Sequence, residues 1–224
     1  MLLLIPLLLV ALVAAAQPGP DPAPDPSPDP APAPAPAPAP ADDDNAKTDS
    51  GIVPGLAAPD FVLKTQLGEE CRLESLRGKV VVLEWFNPAC DVDKRLYANK
   101  TIPSLVEKWA AKNVMWVRIN SCTDGSVELN KVKAEQFSIG TLLDDHIGAV
   151  GLMLNATRTP EFIVIDAKGV IRYRGALDNN ADGKVESPTN YVDQALQALD
   201  EGKAVTTMTT TPYGTPIPYL GSDQ

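Results

Sequence analysis

Among residues able to act as nucleophiles or soft metal ligands, this 224-residue chain has three cysteines, Cys71, Cys90 and Cys122, and one histidine, His146. No C-x-x-C or H-x-x-x-H spacing occurs, and one distant histidine cannot complete a zinc site with a single cysteine. There is no glycine-rich phosphate loop. The predicted chemistry is therefore that of a thiol acting by itself, with no cofactor and no metal. Cys90 is the foremost candidate: it closes the run Glu84-Trp85-Phe86-Asn87-Pro88-Ala89 and is followed by Asp91, Asp93, Lys94 and Arg95. Thiolate is the reactive form; a pKa near 8.5 leaves only about 3% ionised at neutral pH, whereas one near 6.5 gives roughly 75%. Lys94 and Arg95 favour the anion, and Asp91 and Asp93 oppose it if they point inward. The competing reading is an inert cysteine packed as a small hydrophobe.

The elements that must position Cys90 are legible in the apolar periodicity. Lys79 to Phe86 reads as a buried central strand, preceded by a hairpin of Phe61-Val62-Leu63 and Cys71-Arg72-Leu73 turning at Gly68. Asn87 to Asp93 reads as a polar turn. A helix through Pro103 to Ala110 follows, then a strand over Met115 to Ile119, a helix over Val127 to Phe137, a short strand at Thr141 to Leu143, and a helical turn within Ile147 to Leu154. Glu161 to Asp166 and Val170 to Arg174 form a second hairpin around Ala167-Lys168-Gly169, and a last helix runs from about Asn190 to Glu201. This order predicts an α/β domain with a mixed sheet flanked by helices, over residues 51–203. The tail, residues 204–224, is rich in Thr and Pro and is expected to be irregular.

The remaining sequence is composed differently. Leu2 to Ala16 is almost wholly apolar and ends in small residues, which predicts a signal peptide over 1–16 cleaved after Ala16; an uncleaved anchor is the other reading, disfavoured by a length below the roughly 18 residues of a spanning helix. From Pro18 to Pro40 every even position is proline, so residues 17–50 are expected to form an extended, solvated linker, spanning some 70 Å over 17–41 at about 3.1 Å per residue. It serves either as a stalk through a cell envelope or as a passive leader. Six of the 29 acids precede Lys47, leaving 23 against 19 bases in the rest. A mildly acidic domain without clustered Lys and Arg is not a nucleic-acid surface.

The strand-to-cysteine segment Glu84 to Cys90, the hairpin exit Leu73-Glu74-Ser75-Leu76-Arg77-Gly78-Lys79, and Thr159-Pro160 before Phe162-Ile163-Val164-Ile165-Asp166 together resemble the thioredoxin-like superfamily. Within it they are nearest the redoxins, the alkyl hydroperoxide reductase and thiol-specific antioxidant group. The likeness covers about residues 52–203. It implies a thioredoxin-like fold in which Cys90 starts a helix, where free N–H groups and the helix dipole favour an anion. It also implies a cis-proline at Pro160, preceded by Thr159, beside the reactive sulfur. Glu84 takes the place of the buried acid that helps thioredoxins move protons; the alternative is that it reaches the sheet edge or pairs with a lysine. Arg158 either faces Cys90 and stabilises an anion or is solvated.

The chain departs from the pattern in four places. Asp93 stands where a dithiol would carry its second cysteine, Asn87 where peroxiredoxins carry Thr or Ser, and Asp91 where a proline is common. Thr215, after Tyr213-Gly214, occupies a position that is often cysteine in such relatives. An intrachain partner for Cys90 must then be Cys71 or Cys122. Cys122 is preferred because it follows a parallel strand at the same sheet edge, although a structural Cys90–Cys122 disulfide is an open alternative and Cys71 reads as packing. The resulting expectation is an exported thiol oxidoreductase, in the periplasm, cell envelope or extracellular space, whose Cys90 thiolate attacks a peroxide or a protein disulfide and is restored by Cys122 or an external thiol reductant. The alternative is a catalytically degenerate redoxin domain acting as a stalked binding or scaffold module.

Overall fold

The computed structural model describes residues 52–219 apart from Asp124. The expected signal peptide at 1–16, the linker at 17–50 and the final residues 220–224 lie outside the described residues.

The strands are β1 (Val62–Thr65), β2 (Glu70–Arg72), β3 (Val80–Trp85), β4 (Val114–Asn120), β5 (Leu142–Asp144), β6 (Arg158–Thr159), β7 (Glu161–Ile165), β8 (Ile171–Gly175) and β9 (Thr215–Pro216). The helices are α1 (Asp91–Ala98), α2 (Thr101–Ala110), α3 (Val127–Phe137), α4 (Ala149–Met153) and α5 (Tyr191–Asp200), with a 3-10 turn at Leu73–Leu76. Seven strands form one mixed sheet in the order β2-β1-β5-β4-β3-β7-β8, in which β3, β4 and β5 run parallel and β7 is antiparallel to β3. This is the thioredoxin-like arrangement that the resemblance implied.

β3 is buried on both faces because it lies inside the sheet with layers on either side, which is why it reads as a continuous apolar run. Val81, Leu83 and Trp85 join a core with Val150 of α4 and the opening residues Ala58 and Phe61. Val82 and Phe86 join the other core with Leu96 and Tyr97 of α1, Ile102, Leu105 and Trp109 of α2, and Val192 and Leu196 of α5. Glu84 shares this second face.

Two sequence expectations need correction. Asn87 to Asp93 is not a turn throughout: α1 begins at Asp91, so Asp91 and Asp93 occupy the first helical turn, where acids suit the positive end of the dipole. The helix expected from Pro103 begins at Thr101, after Lys100 breaks the chain in a left-handed conformation (φ 65°), and Pro103 falls in the first turn where its missing N–H costs little.

The tail, expected to be irregular, contains β9. This strand pairs antiparallel with β6 in the register Arg158↔Pro216 and Thr159↔Thr215. Upstream, the Arg174 N–H donates to Met208 O (3.0 Å), the Thr210 N–H donates to Arg174 O (3.1 Å), and the Ala176 N–H donates to the Thr210 hydroxyl (2.9 Å). Gly175 permits this approach, since a Cβ there would lie 2.3 Å from Thr210 O. Downstream, the Ile217 N–H donates to Thr157 O (3.1 Å), the Ile217 side chain is buried, and the Tyr219 hydroxyl donates to Ala156 O (2.8 Å).

Candidate active site

The chain leaves β3 at Trp85 and stays beside β4 for one more residue, the Phe86 N–H donating to Ile119 O (2.9 Å). Asn87 then closes a tight turn: its carbonyl accepts the Cys90 N–H (3.0 Å) and its side-chain oxygen accepts the Ala89 N–H (2.8 Å). Cys90 is the N-cap of α1 and only 1% exposed. Its Sγ donates to Thr159 O at 3.0 Å, and the Thr159–Pro160 peptide is cis. Burial pushes the thiol up, but the Thr215 hydroxyl and the N–H groups of Asp93, Thr215 and Val92 near the sulfur favour the anion and outweigh it, holding Cys90 below the ordinary thiol value. Two of these groups come from the helix start and two from the tail.

Asp93 lies one helical turn beyond Cys90 and is fully buried. Its Oδ2 accepts the Asn87 N–H (3.1 Å), fastening the turn to the helix; its Oδ1 meets no N–H or O–H donor among the described residues, and the carboxyl lies beside the Cys90 side chain. The nearby cations are engaged elsewhere: Lys94 pairs with Asp91 at the surface, and Arg95 donates to the carbonyls of Asn180 and Ala181. Burial, then the negative charges of Glu84 and Cys90, hold the Asp93 carboxyl well above the usual carboxylate range.

Glu84 is also fully buried, yet its oxygens are occupied. Oε1 accepts the Tyr97 hydroxyl (2.9 Å), and Oε2 accepts the Trp116 indole N–H and the Arg118 Nε (3.2 Å). Arg118 also donates to the Tyr97 hydroxyl (3.0 Å). Burial raises the Glu84 carboxyl, with Arg118, Trp116 and Tyr97 pulling against it. Glu84 is thus buried, as the first of its two sequence readings required, and its charged partner is an arginine of the adjacent strand where the alternative had offered the sheet edge or a lysine.

The other sequence candidates are distributed around this centre. Cys122 lies buried in the loop after β4, at the same sheet edge as the Cys90 turn, its N–H donating to Asn120 Oδ1 (3.0 Å). No disulfide joins the three thiols. Cys71 is half-buried in β2 against the core, and burial pushes its thiol up, consistent with packing. The Arg158 Nη1 donates to Gly214 O (2.9 Å), which ties its guanidinium to the tail beside Thr215.

Sequence reasoning left open whether Asp93 points inward beside the sulfur, and it missed the approach of Thr215 and Arg118 as the partner of Glu84. Placing the helix start at Asp91 would have exposed the first, since i and i+3 share a helix face. The resemblance had marked Thr215 only as a place where relatives often carry a cysteine; its approach to the sulfur depends on strand pairing across more than fifty residues.

The AhpC/TSA family matches over residues 54–174. An uncharacterized conserved protein from Geobacillus kaustophilus superposes with a TM-score of 0.67 at 27% identity, covering 76% of this chain and 94% of that one. A hypothetical protein from Sinorhizobium meliloti 1021 gives 0.68 at 21% identity, covering 75% and 96%. The peroxidoxin BcpB from Mycobacterium tuberculosis gives 0.52 at 22%, covering 68% and 99%. No curated protein matches.

Proposed function

Because the chain belongs to the AhpC/TSA family, we propose that it is a thiol oxidoreductase in which the Cys90 thiolate attacks a peroxide or a disulfide. The observation that carries this reading is the buried Cys90 sulfur at the start of α1, set against the cis Thr159–Pro160 peptide, with Val92, Asp93 and Thr215 beside it favouring the anion. Such a site stabilises thiolate, the form able to displace the leaving group of an O–O or S–S bond. With a peroxide the sulfur becomes a sulfenic acid; with a disulfide it becomes a mixed disulfide. Cys122 or an external thiol reductant then completes the cycle. Glu84 acts as a positioning residue, fixing Tyr97 of α1 to β4, and Arg158 positions the tail.

Mass spectrometry of the protein after mild peroxide treatment tests this reading, with Cys90→Ser as the background control. The expected result is a sulfenic adduct, or a bond to Cys122, formed at Cys90 and absent in the variant, together with thiol-dependent peroxide or disulfide turnover. An unmodified Cys90 under these conditions would favour the scaffold reading. The near-complete burial of the sulfur and the absence of cysteine at positions 93 and 215 speak for that reading.

We further propose that the domain works outside the cytoplasm, tethered or released by the leader and proline-rich spacer. Among the described residues no helix is long and apolar enough to cross a membrane. Amino-terminal sequencing of the mature protein is expected to begin at Gln17; retention of Met1 would mean that the leader is an anchor.

A further inference from the structure

We propose that Asp93 is the proton carrier of the Cys90 site, taking the thiol proton as the sulfur ionises and delivering it to the oxygen that leaves when a hydroperoxide is reduced. The assignment rests on the thiol-oxidoreductase reading above and narrows its substrate to the peroxide class.

Three features lead to it. First, a fully buried carboxyl oxygen without a partner is a costly thing to keep. Oδ2 alone ties the turn to the helix through the Asn87 N–H, so the structural duty of Asp93 leaves Oδ1 unexplained. Second, the groups facing Asp93 make the proton belong there. Cys90 comes from the turn, and Glu84 from β3, itself held by Tyr97 of α1 and Arg118 of β4; the one buried cation in this set is already spent on Glu84. A negative carboxylate at Oδ1 would therefore face two other acids with no cation of its own, whereas a neutral carboxyl can donate to the Cys90 thiolate. Cys90 is the N-cap of α1 and Asp93 lies in its first turn, so the helix start holds the two groups together, and the Asp93 backbone N–H favours the anion at the sulfur.

Third, the chemistry distinguishes the substrates. A thiolate leaving from a disulfide has a conjugate acid near pKa 8.5 and departs without a proton, whereas alkoxide or hydroxide leaving from a peroxide is far more basic and needs one. The Cys90 thiol passes its proton to the Asp93 carboxylate, and the thiolate attacks the terminal peroxide oxygen. The S–O bond forms as the O–O bond breaks, and Asp93 protonates the departing oxygen. The sulfur is oxidised by two electrons to sulfenic acid, the peroxide is reduced to an alcohol or water, and Asp93 is again a carboxylate. An external thiol then displaces water from the sulfenic acid to give a mixed disulfide, and a second thiol releases Cys90 with its proton.

The test compares two reactions at Cys90 over pH in the full chain. Alkylation by iodoacetamide releases iodide and needs thiolate only; reduction of hydrogen peroxide needs thiolate and an acid. In the unmodified protein, alkylation is expected to rise with pH to a plateau, while the peroxide rate rises and then falls as Asp93 loses its proton. Asp93→Asn keeps an acceptor for the Asn87 N–H, and is expected to slow peroxide reduction tenfold or more while changing plateau alkylation by less than about threefold. A peroxide profile that follows alkylation to its plateau, or equal peroxide rates in Asp93→Asn and the parent, overturns the assignment and leaves the thiol-oxidoreductase reading standing. Should the parent reduce no peroxide above Cys90→Ser while still exchanging with disulfides, the peroxide assignment falls. If it does neither, the oxidoreductase reading falls with it.

Discussion

Arg118→Leu is expected to destabilise the fold by about 3–5 kcal/mol, a hundredfold to several-thousandfold shift toward the unfolded state. The substitution keeps apolar volume at the β4 position but strips the charge from Glu84, which is fully buried and pairs with the Arg118 Nε at 3.2 Å. Tyr97 and Trp116 still donate to the carboxylate, yet both are neutral and cannot replace a guanidinium. The remaining relief is protonation, so the loss depends on pH. Burial already holds the Glu84 carboxyl above the usual range, and removing Arg118 raises it further. For an acid whose folded pKa is raised, the stability contribution is complete below the unfolded value, near 4.3, and is lost as pH rises through the folded one. The deficit of Arg118→Leu should therefore be small near pH 4 and grow toward neutral pH in urea unfolding. The double variant Glu84→Gln/Arg118→Leu should recover much of it, because an amide leaves no buried charge. An equal deficit at both pH values would mean that Arg118 acts by packing alone.

That pair also shows what the sequence made legible and what it withheld. Glu84 and Arg118 each interrupt an apolar strand, and each anomaly is visible alone. Only the parallel register of β3 and β4, which sets Glu84 opposite Arg118, makes them one feature. The order of the central elements was readable from strong apolar periodicity, whereas the cis Thr159–Pro160 peptide and the setting of Cys90 came from the resemblance to thioredoxin-like motifs. Asp93 was misjudged for the opposite reason. Asp91-Val92-Asp93-Lys94-Arg95 has little apolar periodicity, so the segment looked like a turn until its acids are recognised as the first turn of a helix. Thr215 lay beyond local reasoning, since a two-residue strand in a Thr- and Pro-rich tail is defined by its partner, β6, and not by its own composition.

Gly214→Val is expected to open the tail and speed alkylation of Cys90 by about 30- to 150-fold when thiolate is saturated. Gly214 has φ 109°, and a Cβ there would lie 2.2 Å from Thr159 O and 3.3 Å from the Pro160 Cδ, so no side chain fits unless β9 lifts. Lifting β9 breaks the Thr159↔Thr215 pairing and the bond from Arg158 to Gly214 O. With each hydrogen bond contributing about 0.5–1.5 kcal/mol, losing two or three amounts to roughly 2–3 kcal/mol of closure, at tenfold per 1.4 kcal/mol. Two consequences oppose each other at neutral pH. The sulfur gains access from a state in which it is 1% exposed, but it loses the Thr215 hydroxyl and N–H that hold its pKa down. Access dominates only where ionisation is complete, so the rates must be compared on the alkaline plateau, and the midpoint of the variant's profile should move upward at the same time. Both changes together would identify the tail as cover and thiolate donor in one. A plateau rate unchanged from the parent would mean that reagents reach Cys90 by a path that β9 does not block, and the carboxyl side of the site, around Asp93, would then be the place to look for it.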